Sequence, residues 1–191
     1  MSDFLDDWRR FHPDSLPVSH GLKHSEADRW LRFHSLPESR RYAETEADTA
    51  IILDRQNTLA REILGEGAAC WIISHLAVSK DADVQDLWSD RARAVITARS
   101  MPPVARFDDP ADPDIAWDIF ASPVAWHQGT FDDLLRITAN DETRFMWMSR
   151  QTGAIFAPYD GGVDLILPDD VDIAWLALAH SDWLSSSRDG Y

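Results

Sequence analysis

The sequence predicts a single α+β domain over residues 1–191, with an antiparallel sheet of about four to six strands packed by about three to five helices. Three observations carry this. Near the C-terminus, Phe145-Met146-Trp147-Met148, Ala154-Ile155-Phe156 and Val163-Asp164-Leu165-Ile166-Leu167 follow one another at turn spacing, which implies an antiparallel meander. Upstream, Ile51, Ile52, Leu59 and Ile63 form a helical stripe that ends at Gly65. The chain has 191 residues, 45% of them apolar, with nine tryptophans, enough for one core and too little for two.

Taken in order, Phe4, Leu5, Trp8 and Phe11 form one helical stripe after Ser2, a candidate N-cap, and Pro13 ends it. Residues 12–28, rich in Pro, Ser, His and Gly, read as a loop. Trp30, Leu31 and Phe33 suggest a short strand that stops before Pro37. Thr45-Glu46-Ala47-Asp48 resembles a capping box and predicts one continuous helix from Thr45 to Gly65, with Ile52, Leu59 and Ile63 facing the core.

Ala69-Cys70-Trp71-Ile72-Ile73 is an uninterrupted apolar run of strand length, as expected of a central strand. Val84, Leu87, Trp88, Arg91 and Val95 suggest a further helix. Residues 100–114 hold Pro102, Pro103, Pro110 and Pro113 with four aspartates and read as an exposed loop. Ile115 to Val124 reads as a strand with Trp117 and Ile119 on one face, and Thr130 as the cap of a helix through Leu134, Leu135 and Ile137. The pair Asp160-Gly161 between two apolar runs signals a hairpin, because it tolerates positive φ. A last helix places Val171, Trp175, Leu176 and Leu178 on a core stripe, with the helices covering one face of the sheet.

Charge narrows the function. Lys and Arg number 18 against 33 Asp and Glu, a net charge of −15, whereas solubility asks for about 2–8 in a small domain. Such a surface repels nucleic acid and anionic membranes and steers a basic partner inward. No apolar stretch approaches a membrane span, and the N-terminus lacks a cationic secretion signal, so a cytoplasmic location is expected. Cys70 is the only cysteine; it lies in an apolar run, where a buried, inert thiol is expected.

Two stretches resemble a known but uncharacterised bacterial family. They are Arg32-Phe33-His34-Ser35-Leu36-Pro37-Glu38-Ser39-Arg40-Arg41-Tyr42, and Tyr159-Asp160-Gly161-Gly162-Val163-Asp164 with Asp182-Trp183-Leu184-Ser185 downstream. The resemblance implies a small α+β protein and no established reaction. By analogy with other small acidic bacterial proteins, an immunity protein that neutralises a basic toxin or effector is the leading expectation. Its contacts would come from Asp108, Asp109, Asp112 and Asp114 on the long loop and from Asp169, Asp170 and Asp172 after the last strand.

The alternative is a small-ligand binder or enzyme built on Arg32, Arg40, Arg41, Tyr159, Asp160 and Asp164. Guanidinium groups can clamp phosphate or carboxylate, and two aspartates can share acid–base work. The bland reading pairs the arginines with Glu38, Glu44 and Glu46 and leaves Asp164 facing solvent. His20 and His24 have i, i+4 spacing and His34 lies nearby, yet Ser19 and Gly21 weaken any helix there. No metal and no cofactor is expected, since no zincin or glycine-rich phosphate motif is present.

Overall fold

The computed structural model describes residues 3–80, 90–169 and 171–184. A seven-stranded, wholly antiparallel sheet runs through the molecule in the order β1-β7-β6-β5-β2-β4-β3. The strands are β1 (Trp30–His34), β2 (Ala69–Ser79), β3 (Pro103–Asp108), β4 (Ile115–Ala125), β5 (Phe145–Ser149), β6 (Ile155–Pro158) and β7 (Gly162–Ile166). The helices are α1 (Phe4–Phe11), α2 (Leu22–Ser25), α3 (Glu46–Leu64), α4 (Asp90–Ala98), α5 (Asp132–Ala139) and α6 (Ile173–Ala179). The expected meander is β5-β6-β7, and β1 extends it by pairing with β7.

The helices lie on both faces, not one. Strand β2 shows why. Cys70, Ile72 and Leu76 point into a core with Leu59, Ile63, Leu134 and Leu135 of α3 and α5, while Trp71, Ile73 and Ala77 meet Phe4, Trp8 and Leu22 of α1 and α2. Buried on both sides, β2 can be apolar at successive positions from Cys70 to Ile73 and still obey the two-residue alternation of a strand. In the first core Trp126, Trp147 and Phe156 pack with centroids 5.3–5.8 Å apart. Cys70 is fully buried there, and burial pushes its thiol up to about 12.

Helix α3 starts as the capping box foretells. Thr45 Oγ1 accepts from the Asp48 amide, and the Asp48 carboxylate accepts from the Thr45 amide. Ile52, Leu59 and Ile63 all face inward. Elsewhere local chemistry departs from expectation. The first helix is capped by Asp3, which accepts from the Asp6 amide; Ser2 lies outside the described residues. Phe131 stands at the N-cap of α5 with no side-chain cap, so Thr130 does not have that role.

Residues 12–28 include short helical turns and α2, and the segment 100–114 contributes β3, which pairs with β4 along one edge of the sheet. Prolines 102 and 103 are tolerated because an edge strand has a free side. Of the helix expected from Val84 to Val95, positions 84–89 lie outside the described residues, and α4 covers the rest. Trp175 and Leu178 are 61% and 76% exposed, so of the stripe assigned to the last helix only Leu176 is buried, with Val171 packed partly against the core.

The N-terminal segment is fastened by Glu26. It accepts from Ser15 Oγ at 2.6 Å and from Arg29 Nη2, and it lies 2.9 Å from His12 Nδ1; His12 Nε2 in turn lies 2.8 Å from the Gly153 carbonyl oxygen. Burial alone would raise the Glu26 pKa, but the bonds to His12, Ser15 and Arg29 outweigh it and hold the carboxyl at about 2 against an ordinary 4.5. A depressed folded-state pKa adds stability above the unfolded value and loses it as acid protonates the folded group. Part of the acid destabilisation of the wild type is therefore expected between pH 4.5 and about 2. In urea titrations across that window, Glu26→Gln should flatten the loss; an unchanged acid limb would remove Glu26 from it.

Candidate functional site

The registers define two ends of the sheet. At one, called upper here, lie Ser79 opposite Ile115, the β6–β7 turn, the end of β1 and the start of β5. Arg32 on β1 and Asp164 on β7 are direct cross-strand partners, so their side chains leave the same face. That face is the one covered by α1 and α2, since their neighbours Leu31, Phe33, Val163 and Leu165 belong to the opposite core. Arg32 grips Asp164 with two parallel bonds, Nε to Oδ1 at 2.7 Å and Nη2 to Oδ2 at 2.9 Å. Its guanidinium lies 5.1 Å from the Trp30 ring and 4.9 Å from the Tyr159 ring.

Asp160, in the β6–β7 turn, is fully buried and collects a second set of donors. Tyr42 Oη donates to Oδ2 at 3.1 Å, Arg41 bonds through Nε and Nη2, and Arg144 Nη1 stands 3.5 Å from Oδ1. Neither Asp160 nor Asp164 faces solvent, in contrast to the bland reading of this hairpin. The hairpin forms where Asp160-Gly161 foretold it, yet neither Gly161 nor Gly162 adopts a left-handed φ. Gly162 is needed for another reason: a Cβ there would lie 2.1 Å from the Phe33 carbonyl oxygen of β1.

Around these pairs a cavity of about 210 Å³ is lined by Lys23, Arg32, Arg41, Arg144, Tyr159, Asp160 and Asp164, with Ser19 and His20 at its wall. Four cations thus face two carboxylates in the wall, and Arg144 Nη2 is paired besides with Asp141 at 2.6 Å. Arg144 Nη1 is closed off from solvent and, although 3.5 Å from Asp160 Oδ1, makes no hydrogen bond among the described residues, so an anionic oxygen entering the cavity could give it one. Burial pushes the Tyr159 phenol up to about 12, so it stays a hydrogen-bond donor at neutral pH.

Beneath the cavity wall Ser19 Oγ lies 3.0 Å from His75 Nε2, and the Ser19 amide donates to the same nitrogen at 3.2 Å. Burial, assisted by His20 and Arg144, drives the His75 pKa down to about 3. An imidazole so weakly basic is poorly matched to proton abstraction at neutral pH, which favours a base with a pKa near the working pH.

Residues 18–188 match DUF3885, a domain of unknown function. The chain belongs to the DUF3885 family. Neither a curated protein nor a solved structure matches it. The DUF3885 match takes in every residue of the cavity wall, from Ser19 to Asp164.

Of the six alternative ligand-site residues, the DUF3885 fold brings together Arg32, Arg41, Tyr159, Asp160 and Asp164. Arg40 is not among them: it turns to Asp48 at 2.6 Å and reinforces the start of α3, holding that carboxyl well below the usual range. The partners of these arginines are Asp164, Asp48 and Asp160, rather than Glu38, Glu44 and Glu46. His20 and His24 share a cavity wall, whereas His34 lines a separate one with Glu38 and Asp182.

The two acidic groups expected to bind a partner lie apart. Asp108, Asp109, Asp112 and Asp114 sit at the upper end beside β3, while Asp169 and Asp172 follow β7 at the lower end. Several have local duties. Asp109 accepts from Trp117 Nε1 at 2.7 Å and from two loop amides, Asp172 caps α6, Asp108 pairs with Lys80 and Asp169 with Arg29. Asp170 lies outside the described residues.

Sequence reasoning missed Lys23, Arg144 and the Ser19–His75 contact. Arg144 offered one weak signal, a lone cation at the mouth of an apolar strand. Nothing in the sequence tied it to Arg32, which lies 112 positions away.

Proposed function

We propose that this protein recognises a small anionic ligand, bound between Lys23, Arg32, Arg41 and Arg144. One observation supports this above all: cations from four separate chain segments line one cavity, although the chain as a whole carries −15. Arg32 and Arg144 are largely buried, so their charges are screened less than those of the acidic exterior. The experiment is calorimetric titration with inorganic phosphate and with short carboxylates, on the wild type and on Arg41→Gln and Arg144→Gln. A charged hydrogen bond contributes about 1.5–3 kcal/mol, so each variant should weaken binding roughly tenfold to a hundredfold. Affinities unchanged in both variants, or no saturable binding to the wild type, would defeat the proposal.

A second reading is favoured by the exposure of Asp108 at the end of β3 and of Asp112 and Asp114 on the β3–β4 loop. There the protein would neutralise a basic partner in the manner of an immunity protein, with the loop steering encounter. Association with a basic protein captured from the native cell should then slow as salt shortens the Debye length from about 10 Å at 0.1 M to about 3 Å at 1 M. Joint replacement of Asp108, Asp109, Asp112 and Asp114 by asparagine should slow it further. A partner indifferent to both treatments would exclude the loop.

A further inference from the structure

The cationic cavity does not stand alone. A second cavity of about 550 Å³ adjoins it, and His20 and Lys23 line both. Its walls are mainly apolar, from Leu16, Val18, Pro110, Ala111 and Trp117, with Asp14, His24 and Ser25 completing the lining. Its volume falls within the roughly 300–1,000 Å³ of small-molecule sites. The nearby Asp109 carboxylate is occupied by the Trp117 indole and by the Ala111 and Asp112 amides.

At the junction, the His20 ring packs 5.1 Å from Trp117 and 6.1 Å from His75. Burial lowers the His20 pKa, which favours a neutral ring beside the apolar chamber. A compact inorganic anion would use the cationic cavity and leave the larger chamber without an occupant.

We infer that the ligand is amphipathic, with a carboxylate or phosphate head between Arg32, Arg41 and Arg144 and an apolar body lying over Trp117 between Leu16 and Pro110. This rests on the anion reading above and names the class of anion. Two features support it: the chambers share Lys23 and His20 in their walls, and the larger chamber is the more apolar of the two.

Titrating a series of monomeric straight-chain ligands tests it: butanoate, hexanoate, octanoate and the corresponding alkyl phosphates, with inorganic phosphate and octanol as the two halves of the design. Each buried methylene should tighten binding by about fourfold until the chamber is filled, and the carboxylate and phosphate arms show which head the arginines prefer. Gly21→Leu supplies a second measurement. Gly21 lines the chamber, and a Cβ there meets nothing within 4 Å, so the fold should tolerate the change. It should weaken octyl phosphate at least tenfold and leave inorganic phosphate unaffected.

Inorganic phosphate binding as tightly as octyl phosphate, with no trend along the series, would overturn this inference and leave the anion reading standing. Octanol binding as tightly as octyl phosphate would overturn the anion reading and, with it, the amphipathic ligand. Binding of none of these compounds would overturn both.

Discussion

Replacing Arg32 by alanine is expected to destabilise the protein by about 3–5 kcal/mol, the range for breaking a buried ion pair from one side. Asp164 is only 5% exposed, and both its oxygens are taken by Arg32. Without the guanidinium a buried carboxylate loses both of its hydrogen-bonded donors. The loss also removes the stacking of Arg32 on Trp30 and Tyr159. Urea denaturation of Arg32→Ala, Asp164→Ala and the double variant measures the effect and the coupling together. The double variant should be clearly more stable than additivity predicts, because it leaves no orphaned charge. A single-variant loss below about 1 kcal/mol would place the pair among solvated surface bridges. Anion binding should fall in every variant that lacks Arg32.

Gly162→Ala is expected to cost about 3 kcal/mol, at the upper end of ordinary overpacking effects. The added methyl would lie 2.1 Å from the Phe33 carbonyl oxygen and 3.2 Å from the His34 Cα, both backbone atoms of the neighbouring strand. Backbone cannot swing aside as a side-chain tip can, so β1 must move away from β7 and the ladder between them must stretch. Since Arg32 travels with β1, loss of ligand affinity should accompany the drop in stability. A drop of about 6–12 °C in melting temperature is expected for a chain of this size. The matched control is Gly161→Ala, whose Cβ would meet the Tyr159 ring at 2.9 Å, a side chain rather than backbone. Equal losses in the two variants would show that the close approach of β1 is not the governing constraint.

The sequence by itself determined those elements whose signals are local. The capping box and apolar spacing of α3, the run of β2 and the turn-spaced strands of the β5-β6-β7 meander all arise from interactions within a few residues. Such patterns are legible because propensity, capping and periodicity act at short range. Even so, the Asp160-Gly161 signal located its hairpin for a reason the backbone does not use: the glycine constraint comes from β1, which is distant in sequence.

Only the tertiary structure decided where the charges meet. The sequence marked Arg32, Arg41, Tyr159, Asp160 and Asp164 as candidates, but it also marked Arg40, which differs from Arg41 only in the direction its backbone gives it. Cross-strand register brings Arg32 onto Asp164 from 132 positions away, and the same sheet brings Arg144 to Asp160 and Ser19 to His75. The sheet likewise sends the two acidic clusters to opposite ends and leaves Trp175 in solvent. Composition reports a net charge for the whole molecule, whereas a binding site depends on local charge and on burial, which weakens solvent screening. The burial of Arg32 and Asp164 exists only once strands far apart in the sequence have paired.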